Sequence, residues 1–117
     1  MNHQKKKSRK FGRKRGPRQA FLKGLANNLI LKGRLRTTEA RAKSIRPVVE
    51  RLVTVAKKQN LASFRRLLSI LNKPAAAKLY YELAPRFQNR SGGYLRLIRT
   101  DSARKRDGAK IAIVEFV

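Results

Sequence analysis

The sequence predicts an α+β two-layer domain, element order α-β-α-α-α-β-β, with a small mixed sheet packed on helices and a basic extended amino-terminal arm. Three observations predict it. Apolar residues recur every three or four positions through the first and middle parts of the chain, as one face of a helix requires. Short runs near residue 35 and in the last third alternate with period two, as half-buried strands do. The first 18 residues carry nine cations and no acid. The 117 residues suit one domain. Leu, Ile, Val and Phe make up about a quarter of them, above the ~20% below which a highly charged chain stays disordered.

Residues 1–16 are expected to form the arm and 17–117 the domain. Within the run Lys5 to Arg18 only Phe11 is large and apolar, so self-repulsion keeps the segment extended until a partner neutralises it. Gly16-Pro17 opens the first helix, because proline's missing N–H falls where the helix has no acceptor for it. Phe21, Leu22, Leu25, Ala26, Leu29 and Ile30 then form one stripe as far as about Lys32, and Gly33 is the expected left-handed stop. In Arg34 to Thr38, Leu35 points inward between two outward arginines. Thr38 and Glu39 cap the second helix, expected to reach Gln59 and to bend at Pro47, with Ala42, Ile45, Val49, Leu52, Val53 and Ala56 buried.

After Asn60, a third helix carries Leu61, Phe64, Leu67, Leu68 and Leu71. Asn72-Lys73-Pro74 starts a fourth with Ala75, Leu79 and Leu83, expected to end at Ala84-Pro85. Tyr94 to Arg99 and Lys110 to Val117 read as strands joined by a solvated basic loop, with Ile111, Ile113 and Val117 on one side of the last.

Composition points to the partner. With 31 Lys and Arg against 6 Asp and Glu, the formal charge is +25, which selects a polyanion. No cysteine means no disulfide framework and no thiolate metal cage, the usage expected of an intracellular, reducing compartment. No apolar run approaches the ~20 residues that cross a bilayer, and no secretory signal is expected. The acids are scattered without a His or Cys partner, so no catalytic residue is expected. His3 with a free amino terminus and two backbone amides could grip a square-planar copper or nickel ion, but a single His cannot build a specific tetrahedral site, and neither a metal nor another cofactor is expected.

The expected RNA-binding residues fall in three groups. In the arm they are Lys5, Lys6, Lys7, Arg9, Lys10, Arg13, Lys14, Arg15 and Arg18; the arginines can fork onto phosphate, and each cation that pairs with phosphate releases a counterion. Arg34, Arg36 and Arg41 form a second strip. Arg86, Arg90, Ser91, Gly92, Gly93, Tyr94 and Arg96 combine cations with the exposed amides and flexible backbone that allow close approach to a sugar-phosphate chain, although Tyr94 fits sheet packing equally well. Arg104, Lys105 and Arg106 divide evenly between RNA contact and solvent. A histone-like DNA compactor shares this charge but needs a dimer core and a DNA-reading element. A membrane-surface peptide would not need the later strands.

Arg34-Leu35-Arg36-Thr37-Thr38-Glu39-Ala40-Arg41-Ala42-Lys43, followed by Arg46-Pro47-Val48-Val49-Glu50, closely resembles the signature of the bacterial large-subunit ribosomal protein seventeen family. Ala84-Pro85-Arg86-Phe87, then Arg90, Gly92-Gly93-Tyr94 and Arg96, are similar to that family's second hallmark, and Ile111 to Val117 to its closing strand. The likeness covers roughly residues 18–117; ahead of it, Gly16-Pro17-Arg18 stands where the family usually has a Ser-His segment. The resemblance implies a non-enzymatic constituent of the large ribosomal subunit, in the cytoplasm or an organelle. It would bind large-subunit rRNA near the polypeptide exit side and touch neighbouring ribosomal proteins, with no membrane and no small-molecule substrate.

Overall fold

The computed structural model describes residues 15–117, the side chains from Gly16 onward. Helix α1 (Arg15–Lys32) starts two residues ahead of the expected Pro17, which lies in its first turn. Ala26, Leu29 and Ile30 are buried and Leu22 and Leu25 pack partly against the core. Gly33 stops the helix with φ +82, donating its N–H to the Leu29 carbonyl at 2.7 Å, a conformation that costs other residues ~1–2 kcal/mol. The chain turns at once into β1 (Arg34–Thr38) and then α2 (Glu39–Ala56), where the Thr38 hydroxyl accepts the Arg41 N–H at 3.3 Å. The six residues expected to be buried on α2 are the six that are, and the helix is continuous across Pro47. It stops three residues short of Gln59.

An Asn60–Ser63 capping box opens α3 (Leu61–Ile70), which turns Ser63 and Leu67 inward. Leu61 and Leu68 stay exposed. Asn72 caps α4 (Lys73–Lys78) by accepting the Ala75 N–H at 2.9 Å, and its own N–H donates to Asn27 on α1 at 3.0 Å.

The fourth helix does not end at Ala84-Pro85. It passes through a π-helical turn, Leu79–Leu83, into α5 (Ala84–Arg86). In that turn the Ala84 N–H reaches back five residues to the Leu79 carbonyl. The next bond of the same spacing would join residue 85 to the Tyr80 carbonyl, but proline has no N–H. The Gln59 side chain donates to that carbonyl instead, at 2.8 Å. Pro85 is thus tolerated because another element satisfies the acceptor it leaves open.

Strand β2 (Leu95–Ala103) extends four residues past Arg99, and β3 (Lys110–Phe116) returns. The sheet order is β1-β3-β2, antiparallel at both contacts, which corrects the expected mixed sheet. A parallel contact would need β1 beside β2; the β2–β3 hairpin places β3 between them. Leu35, Leu97 and Val114 lie in register on the inner face, with Ala112 and Phe116, against the helices. Ile111 and Ile113 do share a side of β3, but it is the side away from that core cluster. Among the described residues no helix is long and apolar enough to cross a membrane.

Candidate nucleic-acid interface

The outer face of the sheet gathers arginines from two of the predicted groups. Register places Arg34, Glu115 and Arg96 in one row and Arg36, Ile113 and Ile98 in the next. Glu115 on the central strand pairs with both flanking arginines, at 3.6 Å to Arg34 and 2.6 Å to Arg96. Its side chain is 15% exposed, against 61% and 60% for the arginines. An approaching anion therefore meets two splayed guanidiniums, with the acid that orients them recessed below. Arg36 is exposed and has no ion pair among the described residues, which leaves its charge free.

A cleft of about 490 Å³ beside this face brings Arg34 and Arg86 together with Lys32 and Lys78, two cations that sequence reasoning had not selected. Lys78 donates to the Leu31 carbonyl at 2.8 Å, so it also caps the end of α1. Arg86 lies 4.8 Å over the Phe87 ring and donates to the Val117 carbonyl at 3.2 Å.

Arg41 is half-buried, its guanidinium 5.0 Å over the Phe21 ring, where it ties α2 to α1. Glu39 at the head of α2 takes Lys43 at 2.9 Å and Arg99 at 3.4 Å. The hydrogen bond from Lys43 holds the Glu39 carboxyl below the usual carboxylate range against the opposing effect of burial, and the charges of Lys43, Arg99 and Lys110 add to the lowering.

The Gly-Gly loop is built around Tyr94, which is 3% exposed, its ring centroid 5.4 Å from that of Phe87. Lys57 donates to the Tyr94 hydroxyl at 2.9 Å and to the Arg90 carbonyl, so the loop is fastened to the end of α2. Arg90 curls back, its Nε donating to the Gly92 and Gly93 carbonyls at 3.2 Å each. Ser91, Gly92 and Gly93 are exposed, and a Cβ at either glycine would meet open space. Tyr94 is thus an internal post, and the exposed backbone is what the loop presents. Arg18 is half-buried on the first turns of α1. The expectations for Lys5, Lys6, Lys7, Arg9, Lys10, Arg13, Lys14 and the Arg15 side chain lie outside the described residues.

Sequence reasoning missed Lys57 and Glu115. Lys57 had no local signal, since its partners lie more than thirty positions away. Glu115 had one: a single acid alternating with apolar residues on the last strand, in a chain with few acids.

A family model described as ribosomal protein L17 matches residues 21–117. The large ribosomal subunit protein bL17 of Hydrogenobaculum sp. (strain Y04AAS1) is 47% identical over 118 residues, covering 100% of this chain and 99% of the relative. That of Fusobacterium nucleatum subsp. nucleatum is 44% identical over 118 residues, covering 100% of both. That of Thermomicrobium roseum is 45% identical over 119 residues, covering 100% and 99%.

Proposed function

The chain belongs to the ribosomal protein L17 family, and from that premise we propose that it is a structural, non-catalytic constituent of the large ribosomal subunit that binds and stabilises large-subunit rRNA. The observation that carries the RNA reading is the outer sheet face, where Arg34, Arg36 and Arg96 stand exposed over one recessed acid. The neighbouring cleft and the Ser91–Gly93 backbone extend it. Together they offer charge and N–H donors but few groups that discriminate bases, which suits contacts that position a protein on folded RNA.

Residues 1–16, with one cation for every two positions, act as an arm that orders against phosphate. Residues 17–117 form the domain that anchors it. The partners are large-subunit rRNA and adjacent ribosomal proteins, and the working location is the ribosome in the cytoplasm.

Sedimentation of a native lysate through sucrose, at low and then high salt, tests this reading. Co-migration with large subunits that survives the high-salt wash is the expected result. Migration at the top of the gradient, or with nucleoid DNA, would leave the family likeness without this role.

A further inference from the structure

The β2–β3 hairpin ends in a turn that no core packing requires. Every residue from Asp101 to Gly108 is exposed. The tip is nonetheless tightly tied. The Arg104 N–H donates to the Ala109 carbonyl and the Gly108 N–H to the Arg104 carbonyl, both at 2.9 Å. Gly108 makes the return at φ +67, where a side chain would be strained. Arg104 forks onto Asp107, Nε at 3.1 Å and an Nη at 2.5 Å from its two oxygens, and Asp107 also accepts the Ala109 N–H at 3.1 Å. At the base, where the register shifts between Arg99 and Ala103, Thr100 donates to the Ile111 carbonyl at 2.9 Å and accepts the Ser102 N–H at 3.2 Å.

Three consecutive cations therefore have two different jobs. Arg104 is matched by Asp107 and closes the turn. Lys105 and Arg106 have no hydrogen bond or ion pair among the described residues and project from a preordered support. The hydrogen bond from Arg104, then that from the Ala109 N–H, hold the Asp107 carboxyl below the usual range, so the fastening favours its charged form.

We propose that this hairpin tip is a separate rRNA-backbone clamp: Lys105 and Arg106 take phosphate oxygens of duplex rRNA, and Arg104 is the positioning residue that holds them ready. The inference rests on the rRNA-binding reading above and adds a site to it. The deep, narrow groove of A-form RNA brings its two phosphate rims close together, so a tip carrying two adjacent cations can bridge them from outside without entering the groove. Arg106 supplies a planar fork and Lys105 a point charge, while no aromatic or amide side chain lies at the tip to read a base. Nor is there an apolar centre of the kind a protein partner's interface is built on.

The test measures binding of the full chain to a large-subunit rRNA transcript across a potassium chloride series, with bulk transfer RNA as competitor. Lys105→Ala with Arg106→Ala should weaken binding and make the plot of log K against log salt shallower by roughly 1.5 to 2, since two phosphate contacts are lost. Arg104→Ala should weaken binding with the slope nearly unchanged, while the Gly108 and Ala109 amides exchange faster with solvent. Arg104→Lys should restore part of the affinity. An unchanged slope and affinity in the double variant would overturn the clamp, as would normal rRNA binding with impaired uptake into subunits, which would assign the tip to a protein neighbour. A wild-type chain that does not prefer large-subunit rRNA to the competitor would instead overturn the broader reading.

Discussion

Arg36 is the residue at which structure and binding separate most cleanly. Its side chain is exposed and has no ion pair among the described residues, so Arg36→Ala should change unfolding free energy by no more than about 0.5 kcal/mol. It should still make the salt dependence of rRNA binding shallower by roughly one contact. Denaturant titration alongside filter binding checks both, and an unchanged slope would place Arg36 in solvent. Arg34 and Arg96 are less clean tests, because removing either leaves Glu115 with a single partner. Glu39 gives the pH counterpart. Its carboxyl is lowered in the folded chain, so its contribution to stability is fully present above the unfolded carboxylate range, from about pH 5 upward, and is lost as pH falls through the lower folded value. Carbon-detected NMR titration should show Glu39 protonating after an unperturbed glutamate, and Glu39→Gln should remove that part of the acid response. A midpoint at or above the ordinary glutamate value would refute the pairing. The outward direction of Arg34 and Arg36 was legible from one intervening leucine. The stacking of Arg41 on Phe21 was not, because it depends on how two helices meet, which no local spacing encodes.

At the level of elements, the helical period predicted the buried face of α2 residue for residue, since one amphipathic stripe facing one core admits a single solution. It was less informative for α3, a ten-residue helix at the margin of the fold, where Leu61 keeps 61% of its surface exposed while Ser63 is buried. Matched substitutions expose the difference. Leu52→Asp should cost more than about 3 kcal/mol and unfold the chain, whereas Leu61→Asp should stay within about 0.5 kcal/mol, both read by urea denaturation. The junction of α2 with the π-helical turn was illegible because it rests on a glutamine with φ +53, a conformation that composition does not flag. Gln59 donates to the Ala56 and Tyr80 carbonyls, at 2.8 Å each. Gln59→Ala forfeits both bonds and keeps the strain, a loss of about 1–2 kcal/mol. Gln59→Gly forfeits the bonds but relieves the strain, and should be the more stable variant by about 1 kcal/mol. Equal stability of the two would mean that the left-handed turn is not under strain.

For the whole molecule, the few acids act as orienting clamps rather than as neutralisers. Glu39, Glu50, Glu115 and Asp107 each hold at least one cation, and Glu50 also accepts the Leu95 N–H at 3.2 Å, tying α2 to β2. Exposed pairs of this kind stabilise by less than about 1 kcal/mol each, and salt weakens them. Against them stands the repulsion among 31 cations, 24 of them in residues 15–117, a body that spans 44 × 36 × 25 Å. At ~0.01 M salt the screening length is about 30 Å, so like charges across most of that body repel; at ~0.15 M it is about 8 Å, and only near neighbours do. The two effects oppose each other, and a net charge of +25 makes repulsion the larger. Salt should therefore raise the melting temperature of the free protein over the range in which it weakens rRNA binding. Thermal unfolding followed by circular dichroism, in a sodium chloride series with and without rRNA, tests this directly. A melting temperature that fell with salt in the free protein would show that the acid clamps, not the excess cations, govern its stability. A rise in the free protein with a fall in the complex would identify rRNA as the counter-charge this surface is built to meet.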